Sequence, residues 1–132
     1  MPSQLDQMMD GIMAALTAEN SMFPVAHMEQ DGVSLPFIAS APPALPHYFE
    51  RFCTQHGDTP FLVCGAERLS FAQAYAEARR VAGALVEGFG VERGDHVGIA
   101  MRNAPSWIVL YMGVLMAGGV ATLLNGWWTG PE

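Results

Sequence analysis

The sequence predicts an α/β fold with a parallel βαβ unit in its carboxyl half and a β-hairpin ahead of it. Three observations carry this. Residues 96–124 read as a strand-like apolar segment, a helical segment opened by Pro105, a Gly118-Gly119 stop and a second apolar strand. Residues 59–71 hold two short apolar runs around Gly65-Ala66-Glu67-Arg68, the pattern of a hairpin with a four-residue loop. Three other segments repeat apolar residues at the spacing of one helix face.

The first of those segments is residues 3–16, where Leu5, Met8, Met9, Ile12, Met13 and Leu16 form one apolar stripe and Ser3 with Asp6 makes a cap. The stripe fits a helix packed on its own domain, and a Met-lined face for a partner or an acyl chain is the alternative, because thioether side chains adapt their shape. From Ser21 to Pro46 there are prolines at 24, 36, 42, 43 and 46, which predicts an extended, irregular segment with short strands at most around Val33 to Ala39. Leu45, Phe49, Phe52 and Cys53 then mark a short amphipathic helix ending at His56-Gly57, where a left-handed cap is easy. The expected organisation is a helix-led, Pro-rich arm over 1–44 and a partial α/β subdomain over 45–132.

After the hairpin, Ser70 and Gln73 form a capping box at the start of a helix. Phe71, Tyr75, Ala78, Ala82, Leu85 and Phe89 share one face of it, and the small residues at 78, 82 and 83 predict close packing on a sheet. Gly88, Gly90 and Gly94 follow this helix and open a strand. A phosphate-binding glycine loop has the opposite order, so these glycines present a helix carboxyl end, which disfavours phosphate.

Residues 107–124 are an uncharged run that would span about 27 Å as one helix, the lower limit for a bilayer. The β-branched strand before it, the Asn103-Ala-Pro105 helix start and the Gly118-Gly119 break read it instead as strand, 13-residue helix and strand. Its parallel strands are expected to be covered on both faces and so continuously apolar. No transmembrane segment is expected, nor a signal peptide, since Asp6 and Asp10 precede any Arg.

Composition narrows the function classes. A net charge of −7, with six Arg and no Lys, argues against nucleic-acid and anionic-membrane partners. Two cysteines give no disulfide framework and fit a reducing, cytoplasmic setting. Cys53 and His56 have the spacing of half a zinc site, but Cys64, His27, His47 and His96 supply no second half.

The segments "LSFAQAYAEARRVAGAL" and "GVERGDHVGIAMRNAPSWIVLYMGVLMAGGVATLLN", in this order, resemble the amino-terminal part of the adenylate-forming (AMP-binding) enzymes: acyl-CoA synthetases, luciferases and peptide-synthetase adenylation domains. Leu69-Ser-Phe71 is similar to the family's first core motif. Leu115 to Asn125 is similar to the second, and Gly94-Asp95 and Asn103-x-Pro105 fit the linking pattern. Within the family, "MRNAPSWI" and "LNGWWTGPE" most resemble fatty-acid and related carboxylate–CoA ligases.

The resemblance implies ATP, Mg²⁺ and coenzyme A for a full-length parent, which joins a carboxylate to AMP and passes the acyl group to a thiol. It places the phosphate loop with its Lys, the ribose- and metal-binding acidic segment and a late Lys beyond this chain. The chain is therefore expected to be a truncated amino-terminal portion, inactive alone, with the remainder of the enzyme as its partner. A free-standing partner-binding or dimerisation module is the rival reading. Both core motifs are scaffold in the family, so no catalytic, cofactor-binding or metal-binding residue is assigned here. Arg102 and Asn103, at the carboxyl end of a strand, are read as a helix cap and turn before a ligand contact. Trp127 and Trp128 are read as packing residues before contacts to an acyl chain.

Overall fold

The computed structural model describes residues 2–127 of the 132-residue chain. The chain divides into two compact units, Met1–Pro42 and Pro43–Glu132.

In the first unit, helix α1 (Gln4–Thr17) is opened by the Ser3 capping box: the Ser3 hydroxyl accepts from the Asp6 N–H, and the Asp6 carboxylate accepts from the Ser3 N–H at 2.7 Å. Strands β1 (Val25–Gln30) and β2 (Val33–Ile38) follow as an antiparallel hairpin. Strand β2 lies where a short strand is expected around Val33 to Ala39, and β1 corrects the reading of the rest of the segment as irregular. Asp31 and Gly32 have φ of 53° and 77°, the conformation of the two-residue turns that best match strand twist, and Asp-Gly is a leading sequence signal for them. Proline number masked that signal. Pro36 is tolerated because a two-stranded ribbon has open edges where its missing N–H is not needed. The apolar stripe of α1 is also not packed as expected: Leu5 to Leu16 stand 37–62% exposed and α1 buries no residue. One helix and one hairpin in 42 residues offer too little surface to cover each other.

The second unit begins with helix α2 (Leu45–His56), closed by Gly57 at positive φ, whose N–H donates to the Cys53 carbonyl. Strands β3 (Pro60–Cys64) and β4 (Glu67–Ser70) form an antiparallel hairpin. Its turn is two residues, Gly65-Ala66, not four, because Gly65 takes φ of 58° and lets Glu67 pair directly with Cys64.

Helix α3 (Phe71–Gly83) carries the predicted Ser70–Gln73 capping box and runs into a π-helical turn, Ala84–Gly88. The wider turn ends the helix at Phe89, its carboxyl cap, so Phe89 leaves the predicted stripe and stands 80% exposed. Of the small residues of α3, Ala78 faces helix α4 (Pro105–Met116), where a Cβ built on Gly113 would lie 2.5 Å from Val81 Cγ1 and 3.1 Å from the Ala78 carbonyl oxygen, whereas a Cβ on Gly83 would meet no neighbour within 4 Å.

Strands β5 (His96–Ala100) and β6 (Val120–Leu124) flank α4 in sequence and pair in parallel, completing the βαβ unit. No described helix is long and apolar enough to cross a membrane. The strands are covered in part on one face and not on both: Ile99 is buried and Val97 and Ala121 half-buried, while Leu123 beside Ile99 is 53% exposed, and on the other face Thr122 is half-buried and His96, Ala100, Val120 and Leu124 are exposed. The core joins Phe49 and Cys53 of α2, Ala74 and Ala78 of α3 and Met112 of α4, with Phe61, Phe71 and Tyr75 around it.

Two substitutions test this packing. Gly113→Ala is expected to lower unfolding stability by about 1–3 kcal/mol through overpacking, and Ser70→Ala by about 0.5–2 kcal/mol through loss of the cap. Urea denaturation reads both. An unchanged midpoint for Gly113→Ala would mean that Val81 moves aside and the α3–α4 approach is not tight.

Candidate functional site

The carboxyl ends of β5 and β6 emerge side by side, and α4 begins there. This is where open parallel sheets place ligands. A cavity of about 470 Å³ occupies the position, bounded by Met101–Asn103 after β5, by Leu123 to Trp127 at the end of β6, and by Trp107 on the first turn of α4.

The two loops are held against each other at Gly126. A Cβ there would lie 2.7 Å from the Met101 carbonyl carbon and 2.8 Å from its oxygen, so only glycine lets the backbones approach this closely. Asn125 Oδ1 accepts from the Trp127 N–H at 3.0 Å, which turns the chain, and the Arg102 guanidinium lies over the Trp127 ring at 3.8 Å. On α4, Trp107 stacks with Tyr111, ring centroids 5.4 Å apart.

Asn103 does not cap α4. Ala104 holds that position with no side-chain hydrogen bond, and Pro105 at the first turn removes one unneeded donor. The chain bends at Asn103 before α4, as the turn part of the cap-and-turn reading expects, while the cap part is corrected, and Arg102 and Asn103 also line the cavity. Trp127, 71% exposed, packs under Arg102. Trp128 lies outside the described residues. Trp107, Asn125 and Gly126 were not singled out from sequence, although their place at the carboxyl ends of two predicted parallel strands was a usable signal. The described lining of the cavity holds a cation, amides and indoles.

The other singled-out residues do not converge. Cys53 is buried, and desolvation pushes its thiol up to about 11. Cys64 is exposed on the hairpin, and the His56 ring packs against Phe71, centroids 4.9 Å apart. Among the described residues, no three His, Cys, Asp or Glu side chains meet as a metal site. A separate groove of about 480 Å³ is bordered by apolar side chains, among them Leu45, Phe52, Phe61 and Met112.

The two thiols are expected to react very differently. At pH 8 a thiol reagent should label one cysteine per native chain, Cys64, while Cys53 stays unlabelled until denaturant is added, because burial hides it and keeps its thiolate scarce. Peptide mapping identifies the labelled residue. Rapid native labelling of Cys53 would mean that α2 opens readily.

Residues 49–132 match the AMP-binding enzyme family. The chain is 36% identical over 77 residues to the medium/long-chain-fatty-acid–CoA ligase FadD6 of Mycobacterium tuberculosis, covering 58% of this chain and 13% of that protein. It is 30% identical over 89 residues to a long-chain-fatty-acid–CoA ligase of Salmonella typhimurium, covering 67% of this chain and 16% of the relative. Among solved structures, a Mycobacterium tuberculosis fatty acyl CoA synthetase superposes with a TM-score of 0.60 at 26% identity, over 65% of this chain and 17% of that one. The Klebsiella oxytoca NpsA N-terminal subdomain, at 17% identity, shares the fold with a TM-score of 0.62 over 67% of this chain and 22% of its own. The chain thus spans about a sixth or less of the length of these curated relatives. Core motifs, the parallel βαβ unit and the family match agree: this chain belongs to the AMP-binding, adenylate-forming enzyme family.

Proposed function

We propose that this chain is the amino-terminal portion of an ATP-dependent fatty-acid–CoA ligase. The observation that carries the reading is the match over residues 49–132 together with two relatives that are fatty-acid–CoA ligases at 36% and 30% identity. In the reaction, a carboxylate oxygen attacks the α-phosphorus of ATP, giving an acyl-adenylate and releasing pyrophosphate. The thiol of coenzyme A then attacks the acyl carbon, loses its proton and displaces AMP. Mg²⁺ and cationic side chains offset the charge of the triphosphate and carboxylate in such a step.

This chain's share is scaffold and binding surface. It has no Lys, and its cavity at the strand ends holds a single Arg. Catalytic groups come from the remainder of the enzyme, the chain's principal partner, and the parent works in the cytoplasm. The exposed stripe of α1 and the open face of β5 and β6 favour one rival, a non-catalytic module that binds a partner or a second copy of itself.

Carboxylate-dependent ATP–pyrophosphate exchange tests the reading. The purified chain with Mg²⁺ and a fatty acid is expected to show none, and exchange by the chain alone would overturn its inertness. Joined in frame to the remaining portion of the Salmonella relative, it is expected to restore exchange. A folded chimera without exchange, beside an active parent, would remove the ligase reading and favour the module.

A further inference from the structure

We infer that the cavity at the carboxyl ends of β5 and β6 is a binding site for a small organic anion carrying a planar ring. The anion is held by Arg102 and the ring lies against the indoles. The inference rests on the cavity's own geometry and does not use the ligase reading.

Arg102 supplies the first argument. The chain carries 13 carboxylates against six guanidiniums, yet the ion pair found among the described residues is Arg80–Glu77, and no described carboxylate reaches Arg102. Stacking on Trp127 at 3.8 Å uses only the flat face of the guanidinium. Its N–H donors lie in the plane of the group, make no hydrogen bond among the described residues, and have the fork geometry that matches a carboxylate or a phosphate.

The surroundings add to the same sign of charge. Asn125 spends its oxygen on the Trp127 N–H, which leaves its NH₂ donors available, and Asn103 adds a second amide. The first turn of α4, uncapped by any side chain, begins beside these groups with the positive end of its dipole. Trp107 gives the ring an apolar, polarisable wall within the same cavity of about 470 Å³. An acyl chain is better served by the separate apolar groove, which has no such cation.

Tryptophan fluorescence of the whole chain, titrated with four probes, tests the site. Phenyl phosphate and benzoate carry ring and anion, phenol carries the ring alone, and octanoate carries the anion alone. Saturable quenching by phenyl phosphate, by benzoate or by both is expected, with phenol and octanoate far weaker. Phenyl phosphate alone assigns a phosphate ligand and benzoate alone a carboxylate. Affinity should fall about tenfold or more in Arg102→Met, and less in Arg102→Lys, which keeps the charge without the fork. It should also weaken as salt shortens the screening length from about 30 Å to about 8 Å.

Octanoate binding tightest, phenol binding as well as the anions, or no saturable quench from either ring anion would each overturn the inference. So would unchanged affinity in both Arg102 variants. Circular dichroism checks that Arg102→Met is folded, and Arg102→Lys carries the comparison if it is not. Failure here leaves the pyrophosphate-exchange result standing, since that assay does not depend on this cavity.

Discussion

The close approach of α3 to α4 is the contact on which the larger unit depends. Ala74 and Ala78 are fully buried between the helices, and Gly113 offers no side chain, so Val81 and the α3 backbone press directly against α4. Dispersion between atoms falls away within a fraction of an ångström, and small residues at facing positions are what keep such a seam dense. Phe49 and Cys53 of α2 reach the same seam through Met112, and Phe61 of the hairpin leans on Phe49. No buried polar side chain is present among these residues, so the seam itself is specified by shape, while the Tyr75 hydroxyl donates to Glu50 Oε1 at 2.9 Å and ties α3 to α2 at its edge. Widening the α3–α4 gap would loosen α2 and the hairpin with it.

Helix α4 has a second duty, and it fixes where the cavity lies. The helix is uncharged on every side because α3 takes one flank while β5 and β6 take another. Its twelve residues span about 18 Å at about 1.5 Å each. A five-residue strand spans about 16 Å at about 3.3 Å each. The helix therefore runs back over the full length of β5 and delivers the chain to the start of β6. There the Val120 N–H donates to the Asp95 carbonyl at 2.7 Å and the Gly119 N–H to the Val114 carbonyl at 3.0 Å. Matched lengths leave the amino terminus of α4 beside the carboxyl ends of both strands.

Features set by neighbours in sequence were legible in advance, and features set by distant contacts were not. The capping boxes at Ser3 and Ser70, the Pro105 helix start and the Gly118-Gly119 stop each involve residues a few positions apart, and all were found where the spacing placed them. The hairpin at Asp31-Gly32 was equally local, but the prolines outweighed it in the reading, and the open ribbon edge that excuses Pro36 is not a sequence property. The π-helical turn at Ala84–Gly88 has no composition of its own and displaced Phe89. At the candidate site, Arg102 and Asn103 were visible as residues at a strand end. Their cavity was not, because Asn125 and Trp127 reach them across more than twenty positions, through a backbone approach that only Gly126 permits.

The separation of core from cavity bears on how the unit can change over evolution. Stability sits in an apolar seam that contains no charge, while Arg102, Asn103 and Asn125 stand at the strand ends, outside it. Polar groups at such positions are exchanged at small expense to packing, because each already faces water and none satisfies a buried partner. One scaffold can then present different ligand contacts with its helices unmoved, which is how function is grafted onto a shared fold. The coupling that remains is backbone, through Gly126 against Met101. Side chains of the cavity are free to vary only while that glycine keeps the two strand ends together.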